Sequence, residues 1–323
     1  MPAAPARQVA PYPLGPVEDR DGNLWLGSVS SGAFMWDGTT LHEFHAKDGL
    51  VGDRVTGLTR DATGTLWFVS AQEDLGGASA LMTFDGQTLQ RAEHPTGFPA
   101  NPTRPFFDQG GALWVQSNGQ FQREVNGRFE PFALPEPRLP RTNRTGYEPM
   151  NMCQTRNGDC WFGTSDQGAY RWDGEAFHAL TTKDGLPTNN VLVHFEDRAG
   201  NLWLSCFHWH LDPEDQRGAL CRWDGETVTT FPEVPGLTRN EIYSVSEDRE
   251  GNVWIGATFR CIYRYDGTAF MPFNATDPPL PDFPFGCNSI YEDRQGRMWF
   301  GLTGGLYRLD DDVLVNVTRE GPW

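Results

Sequence analysis

"EDREGNVWIGA", Glu247–Ala257, decides the fold, because the chain repeats it. "EDRDGNLWLGS" stands at Glu18–Ser28, "EDRAGNLWLSC" at Glu196–Cys206 and "EDRQGRMWFGL" at Glu292–Leu302. In each, a carboxylate pair leads through a glycine to a tryptophan set among apolar residues. Looser copies fill the gaps, so that Trp25, Trp67, Trp114, Trp161, Trp203, Trp254 and Trp299 recur every 42 to 51 residues. A period of that size marks an array of one supersecondary unit. Seven units account for the 323 residues and leave no room for a second domain.

Working outward from the tryptophan, each unit adds a second run such as "GAFMWDG" (Gly32–Gly38) or "CIYRYDG" (Cys261–Gly267), then a third such as "FMPF" (Phe270–Phe273). Short β-rich runs broken by Gly and Asp read as strands and turns. An Asp-Gly or Asn-Gly pair closes the third strand in six units, beginning at Asp37, Asp85, Asn126, Asp173, Asp224 and Asp266. Such a pair suits a tight hairpin because both residues tolerate positive φ. Each unit is therefore four antiparallel strands, a to d, and seven of them in a radial array make an all-β, seven-bladed β-propeller. Every blade draws its strands from consecutive sequence, so no strand exchange at closure is expected. Residues 1–11 read as a flexible Pro/Ala-rich arm and 12–323 as one propeller.

The tryptophans of strand b and the aromatics of strand c, such as Tyr170, Trp172, Tyr263 and Tyr265, are expected to fill the space between blades. The acid before each a–b turn (Asp19, Asp61, Asp108, Asp197, Asp248 and Asp293, with Thr155 as the exception) is expected to hold the turn amides. Seven repeated copies cannot all be catalytic.

Composition narrows the partners. With 43 acidic and 26 basic residues the formal net charge is −17, which argues against nucleic acid and disfavours an anionic membrane surface. No apolar run is long enough to span a bilayer, and the first residues lack the apolar core of a secretion signal. A cytoplasmic location is expected, or a periplasmic one if a signal was removed. Cysteines 153, 160, 206, 221, 261 and 287 show no CxxC spacing and are expected as free thiols, with Cys206 and Cys221 the one pair whose register suggests cross-strand neighbours.

The pattern E-D-x-x-G-x-L-W-x-G, then G-x-Y-R-W/Y-D-G-x-x-F, then D-G-L-P-x-N-x-V, resembles the two-component-regulator propeller repeat. The copy "YRWDGEAFHALTTKDGLPTNNV", Tyr170–Val191, follows it most closely, and the resemblance covers nearly the whole chain. It implies the ligand-binding sensor part of larger bacterial signalling proteins, although no kinase, receiver or DNA-binding segment follows here. The chain is also similar, at the level of fold, to the streptogramin lyases, single propellers of similar length that use a histidine and a divalent metal. No lyase motif maps onto it residue by residue.

In a propeller the b–c and d–a loops share one face and the a–b and c–d turns the other. Here the second set is short and uniform, and the irregular loops gather on the first face, where function is expected. The largest departure is "CFHWHLDPEDQR", Cys206–Arg217, in blade 5. Its alternating polar and apolar residues predict an extended hairpin. Residues two apart on a strand lie roughly 6–7 Å apart on one side, so His208 and His210, with Asp212, could converge on a divalent metal. The HxH pair by itself lacks a fixed third ligand, and a polar hairpin face in water is the simpler reading.

Four residues before each turn acid, the inner strands carry Gly15, Gly57, Arg104, Asn151, Val193, Ser244 and Ser289. Most are small, as crowding near the axis demands. Arg104 departs from that rule, and a guanidinium there could bind an anionic ligand group or pair with a neighbouring acid. Tyr147, Asn189, Asn240 and Phe285 are expected around the channel mouth with Trp209 and Arg260. These residues suit a module that binds a small molecule, a glycan or a protein partner. The alternative is a metal-assisted lyase or hydrolase using His208 and His210. A purely structural scaffold is the third reading.

Overall fold

The structure, a computed structural model, describes residues 13–72, 77–93, 96–100, 102–137, 149–207, 219–231, 242–257, 262–277, 279, 286–302 and 305–318. Within them lie seven sheets, each built on four sequence-consecutive antiparallel strands, and the only helical pieces described are the 3-10 turns Ala46–Asp48 and Thr182–Asp184. The fold is a seven-bladed β-propeller. The inner strands are Pro13–Glu18, Arg54–Arg60, Thr103–Phe107, Pro149–Gln154, Val191–Glu196, Ile242–Glu247 and Cys287–Glu292. By contact the chain falls into two compact units: Met1–Pro131 with Phe273–Trp323, which holds blades 7, 1, 2 and 3, and Phe132–Pro272, which holds blades 4, 5 and 6.

Two blades have edges that the repeat did not foretell. The short strand Thr276–Asp277, in the connection before blade 7, pairs in parallel with the outer strand Val313–Asn316 of that blade and makes a fifth strand. Thr96, in the connection before blade 3, forms a parallel bridge to Arg128 on that blade's outer strand. Both cover backbone groups that an edge strand would leave unpaired.

The core lies between blades, as the repeat predicts. Trp203 of blade 5 packs with Val253, Ile255 and Tyr263 of blade 6, and its ring stacks 5.6 Å from Phe231. Trp161 meets Trp223 of the next blade at 4.9 Å, and Trp25 meets Phe84 at 4.6 Å. In the unit that contains blades 7 and 1, Trp299 packs against Leu24, Leu26 and Trp36.

Each turn acid does more than hold its turn. Asp248 accepts from the amides of Glu250 and Asn252 through Oδ1, and from the Trp254 indole at 2.7 Å through Oδ2. The same acid–indole bond joins Asp19 to Trp25, Asp61 to Trp67, Asp108 to Trp114, Asp197 to Trp203 and Asp293 to Trp299. The tryptophan that fills the inter-blade space is thereby oriented by the turn that precedes it. Blade 4 departs: the one hydroxyl proton of Thr155 is shared between Asn157 Oδ1 at 2.7 Å and the Asp159 carbonyl at 3.1 Å.

The c–d turns correct the sequence reading. Only Asn126-Gly127 takes positive φ at both residues, 52° and 77°. Asp37, Asp85, Asp173, Asp224 and Asp266 leave the left-handed region to the glycine and instead accept from the two amides that follow it. The aspartate is there as an acceptor, not for its φ.

The five described cysteines, Cys153, Cys160, Cys206, Cys221 and Cys287, are free and buried, and Cys261 lies outside the described residues. Cys206 pairs with Ala219 and Cys221 with Leu204. The two thiols are therefore diagonal rather than directly opposed, and the Cys221 thiol donates to the Cys206 sulfur at 3.9 Å, with no disulfide between them.

Candidate functional site

Every inner strand carries an irregularity of register, which begins at the second residue in blades 3, 4, 6 and 7 and at mid-strand in blades 1, 2 and 5. A bulge takes a residue out of the ladder and re-aims its side chain. The inner strands thus hold residues outside the ladder, and the identity of the residue at each irregularity decides what it can do.

In blades 1 and 2 that residue is glycine, with Gly15 at φ 98° and Gly57 at φ 70°. Blade 3 has Arg104 at the same step, and it too sits in the left-handed region, at φ 51°. A Cβ on Gly57 would fall 2.8 Å from the Arg104 Cα, so the smallness of one strand admits the backbone of the next. Arg104 is exposed, yet crowding by the surrounding protein removes enough water to lower its pKa from the usual value, and the guanidinium stays charged at neutral pH. A charged, water-reached arginine on strained backbone is a feature that packing does not require.

Asn151 and Val193, on adjacent strands of the other unit, serve structure. The Asn151 carboxamide donates to the Val193 carbonyl at 2.6 Å and accepts from its amide at 3.0 Å, fixing the register of blades 4 and 5. Asn189, expected at the channel mouth, receives the Thr182 amide at 2.9 Å and so holds the 3-10 turn of its own loop. Phe207, one step beyond Cys206, donates its amide to the Asn190 carbonyl; residues 208–218, where the blade 5 hairpin is expected, lie outside the described residues. Tyr147, His208, Trp209, His210, Asp212, Asn240, Arg260 and Phe285 lie outside the described residues. Among the described residues no group of three His, Cys, Asp or Glu side chains is gathered as a metal set.

Two residues that sequence reasoning passed over stand on the inner strands of blades 5 and 6. Tyr243, the extra residue between the pairs Ile242–Ala257 and Ser244–Gly256, is 42% exposed. The only other large hydrophobic residue so exposed among those described is Val29. His194 is the extra residue between Val193–Leu204 and Phe195–Trp203. Its signal was available: three residues before the turn acid the other inner strands have Pro16, Leu58, Pro105, Met152, Val245 and Ile290. His194 Nε2 meets Ser205 Oγ at 2.9 Å, and burial holds its pKa down at about 3, so the ring is neutral.

The segments 236–259 and 287–304 match the family model described as "Two component regulator propeller". The chain carries two-component-regulator propeller repeats. Comparison with the curated proteins returns no match. Among solved structures, a streptogramin B lyase is 14% identical with a TM-score of 0.64, covering 94% of this chain and 93% of that one. The extracellular domain of the putative hybrid two component system BT3049 from B. thetaiotaomicron is 17% identical with a TM-score of 0.64. This chain is covered over 92% of its length there but spans only 40% of that domain. YCF48 bound to D1 peptide is 13% identical with a TM-score of 0.62 over 95% of this chain and 94% of that one. At such identities the likeness carries the fold alone. The matched segments lie in blades 6 and 7 and contain the turn acids Asp248 and Asp293 and the indoles of Trp254 and Trp299.

Proposed function

We propose that this chain is a sensor-type binding module that takes a small molecule or glycan, with Arg104 holding an anionic group of the ligand. The observation that carries this reading is Arg104 itself: an exposed guanidinium held at φ 51° where the two preceding blades use glycine. A non-glycine residue in that region costs roughly 1–2 kcal/mol, and such strain is concentrated at ligand-binding sites. The regulator repeats favour the same reading, since their model names a two-component system. The alternative, a metal-assisted lyase or hydrolase, would draw on His208, His210 and Asp212, which lie outside the described residues.

Thermal-shift measurements with carboxylate- and phosphate-bearing metabolites and acidic oligosaccharides test this. Compounds that stabilise the wild-type protein are expected to lose most of that effect in Arg104→Gly. Equal shifts in both proteins, or none in either, would remove the reading.

A further inference from the structure

The inner strands of blades 4, 5 and 6 carry a surface of a different kind from Arg104. Asn151 ties Met150 to the level of Leu192, because it bonds both backbone groups of Val193. Leu192 is paired with Ser205, whose hydroxyl donates to the Ile242 carbonyl at 3.3 Å. Ile242 immediately precedes Tyr243. Hydrogen bonds thus bring Met150, Leu192 and Tyr243, each partly or well exposed, to one level of three adjacent strands. His194 is bound to the same Ser205.

The proton inventory assigns the imidazole. Ser205 spends its one proton on the Ile242 carbonyl, so at Nε2 the histidine is the donor. In the neutral ring Nδ1 is then an acceptor. No charged side chain stands on these three strands at this level: the residues are Met150–Met152, Leu192–His194 and Tyr243–Val245. In a chain of net charge −17 such a neutral stretch is selective against ions of either sign and suits an uncharged occupant.

We propose that Tyr243, with Met150, Leu192 and His194, forms a subsite for a neutral sugar unit, the ring lying against Tyr243 and a hydroxyl donating to His194 Nδ1. The chemistry required is an apolar face beside a hydroxyl donor on an uncharged ring, which a hexose supplies. An aromatic platform serves such a ring through its apolar area, and the single acceptor fixes its orientation. The proposal rests on the reading of this propeller as a binding module and adds the ligand class.

Saturation-transfer NMR and calorimetry with neutral glucose-, galactose- and mannose-containing trisaccharides test it, alongside the corresponding uronic-acid sugars. The wild-type protein is expected to bind at least one neutral trisaccharide, Tyr243→Ala to weaken it about tenfold or more, and Tyr243→Trp to retain it. His194→Phe, which keeps an aromatic ring but removes both ring nitrogens, is expected to relax discrimination between sugar epimers. Failure of every neutral sugar, or binding unchanged in Tyr243→Ala, would overturn the subsite. If acidic ligands still bind through Arg104 in that case, the sensor reading survives alone; if neither class binds, both fall. Unchanged melting of Tyr243→Ala separates lost binding from lost fold.

Discussion

Asp248 and Arg104 are both charged residues on a strand or at its end, and the structure gives them opposite natures. Asp248 is buried and saturated by donors from Glu250, Asn252 and Trp254. Asp248→Ala leaves those donors without a partner and is expected to cost about 3 kcal/mol, since hydrogen bonds to a buried charge contribute roughly 1.5–3 kcal/mol. Urea unfolding checks this. Arg104→Gly is expected to do the reverse, holding or raising stability by about 1 kcal/mol because glycine accepts φ 51° without strain. Arg104→Ala keeps the strain and should show no such gain. A clear loss of stability in Arg104→Gly would mean that its partners outweigh its backbone. Arg104 was legible in the sequence because it broke a row of mostly small residues. Tyr243 was not, because nothing in its neighbourhood of letters announces a bulge.

At the scale of the element, the a–b turn is a carboxylate-centred device repeated around the ring. For Asp61, Asp108, Asp248 and Asp293 burial acts to raise the pKa, but bonds from the indole, the turn amides and neighbouring side chains outweigh it and the net shift is downward. A folded-state pKa below the unfolded value of 3.8 means stability that is fully present above about pH 4 and lost as pH falls through the folded values. Denaturant midpoints are therefore expected to drop steeply below pH 4, and less steeply in Asp248→Ala. The turns are also linked between blades. Arg198 donates to the Asp248 and Arg249 carbonyls while its amide bonds Glu247, and Arg294 treats Asp19, Arg20 and Glu18 in the same way. Arg198→Ala is expected to cost only about 1 kcal/mol, because that arginine is half exposed. Strand-borne thiols complete the picture: burial pushes Cys153 up to about 12, and the hydrogen bond with Cys221, together with burial, raises Cys206. Iodoacetamide at pH 8 should leave the five described cysteines unlabelled until the protein is unfolded, and rapid labelling of the native protein would contradict their placement.

For the whole molecule, a net charge of −17 repels itself, and mobile ions screen it over about 8–10 Å at physiological salt. Melting temperature is expected to rise between 50 and 500 mM sodium chloride in order-of-magnitude terms of a few degrees, and a fall would show that specific ion pairs dominate. The sequence by itself determined the blade number, the four-strand unit and the inter-blade tryptophans, because each follows from a repeat of apolar spacing and turn chemistry that is local in the chain. It also placed the turn acids correctly, since a carboxylate two and four residues before a main-chain amide needs no distant partner. Tertiary structure alone decided the rest. Asp248 meets Trp254 because a hairpin folds them together; Asn151 meets Val193 42 residues away. The diagonal offset of Cys206 and Cys221 depends on strand register, which single residues do not declare. The bulges at Arg104 and Tyr243 are likewise a matter of how each inner strand pairs with its neighbour, which no single segment declares.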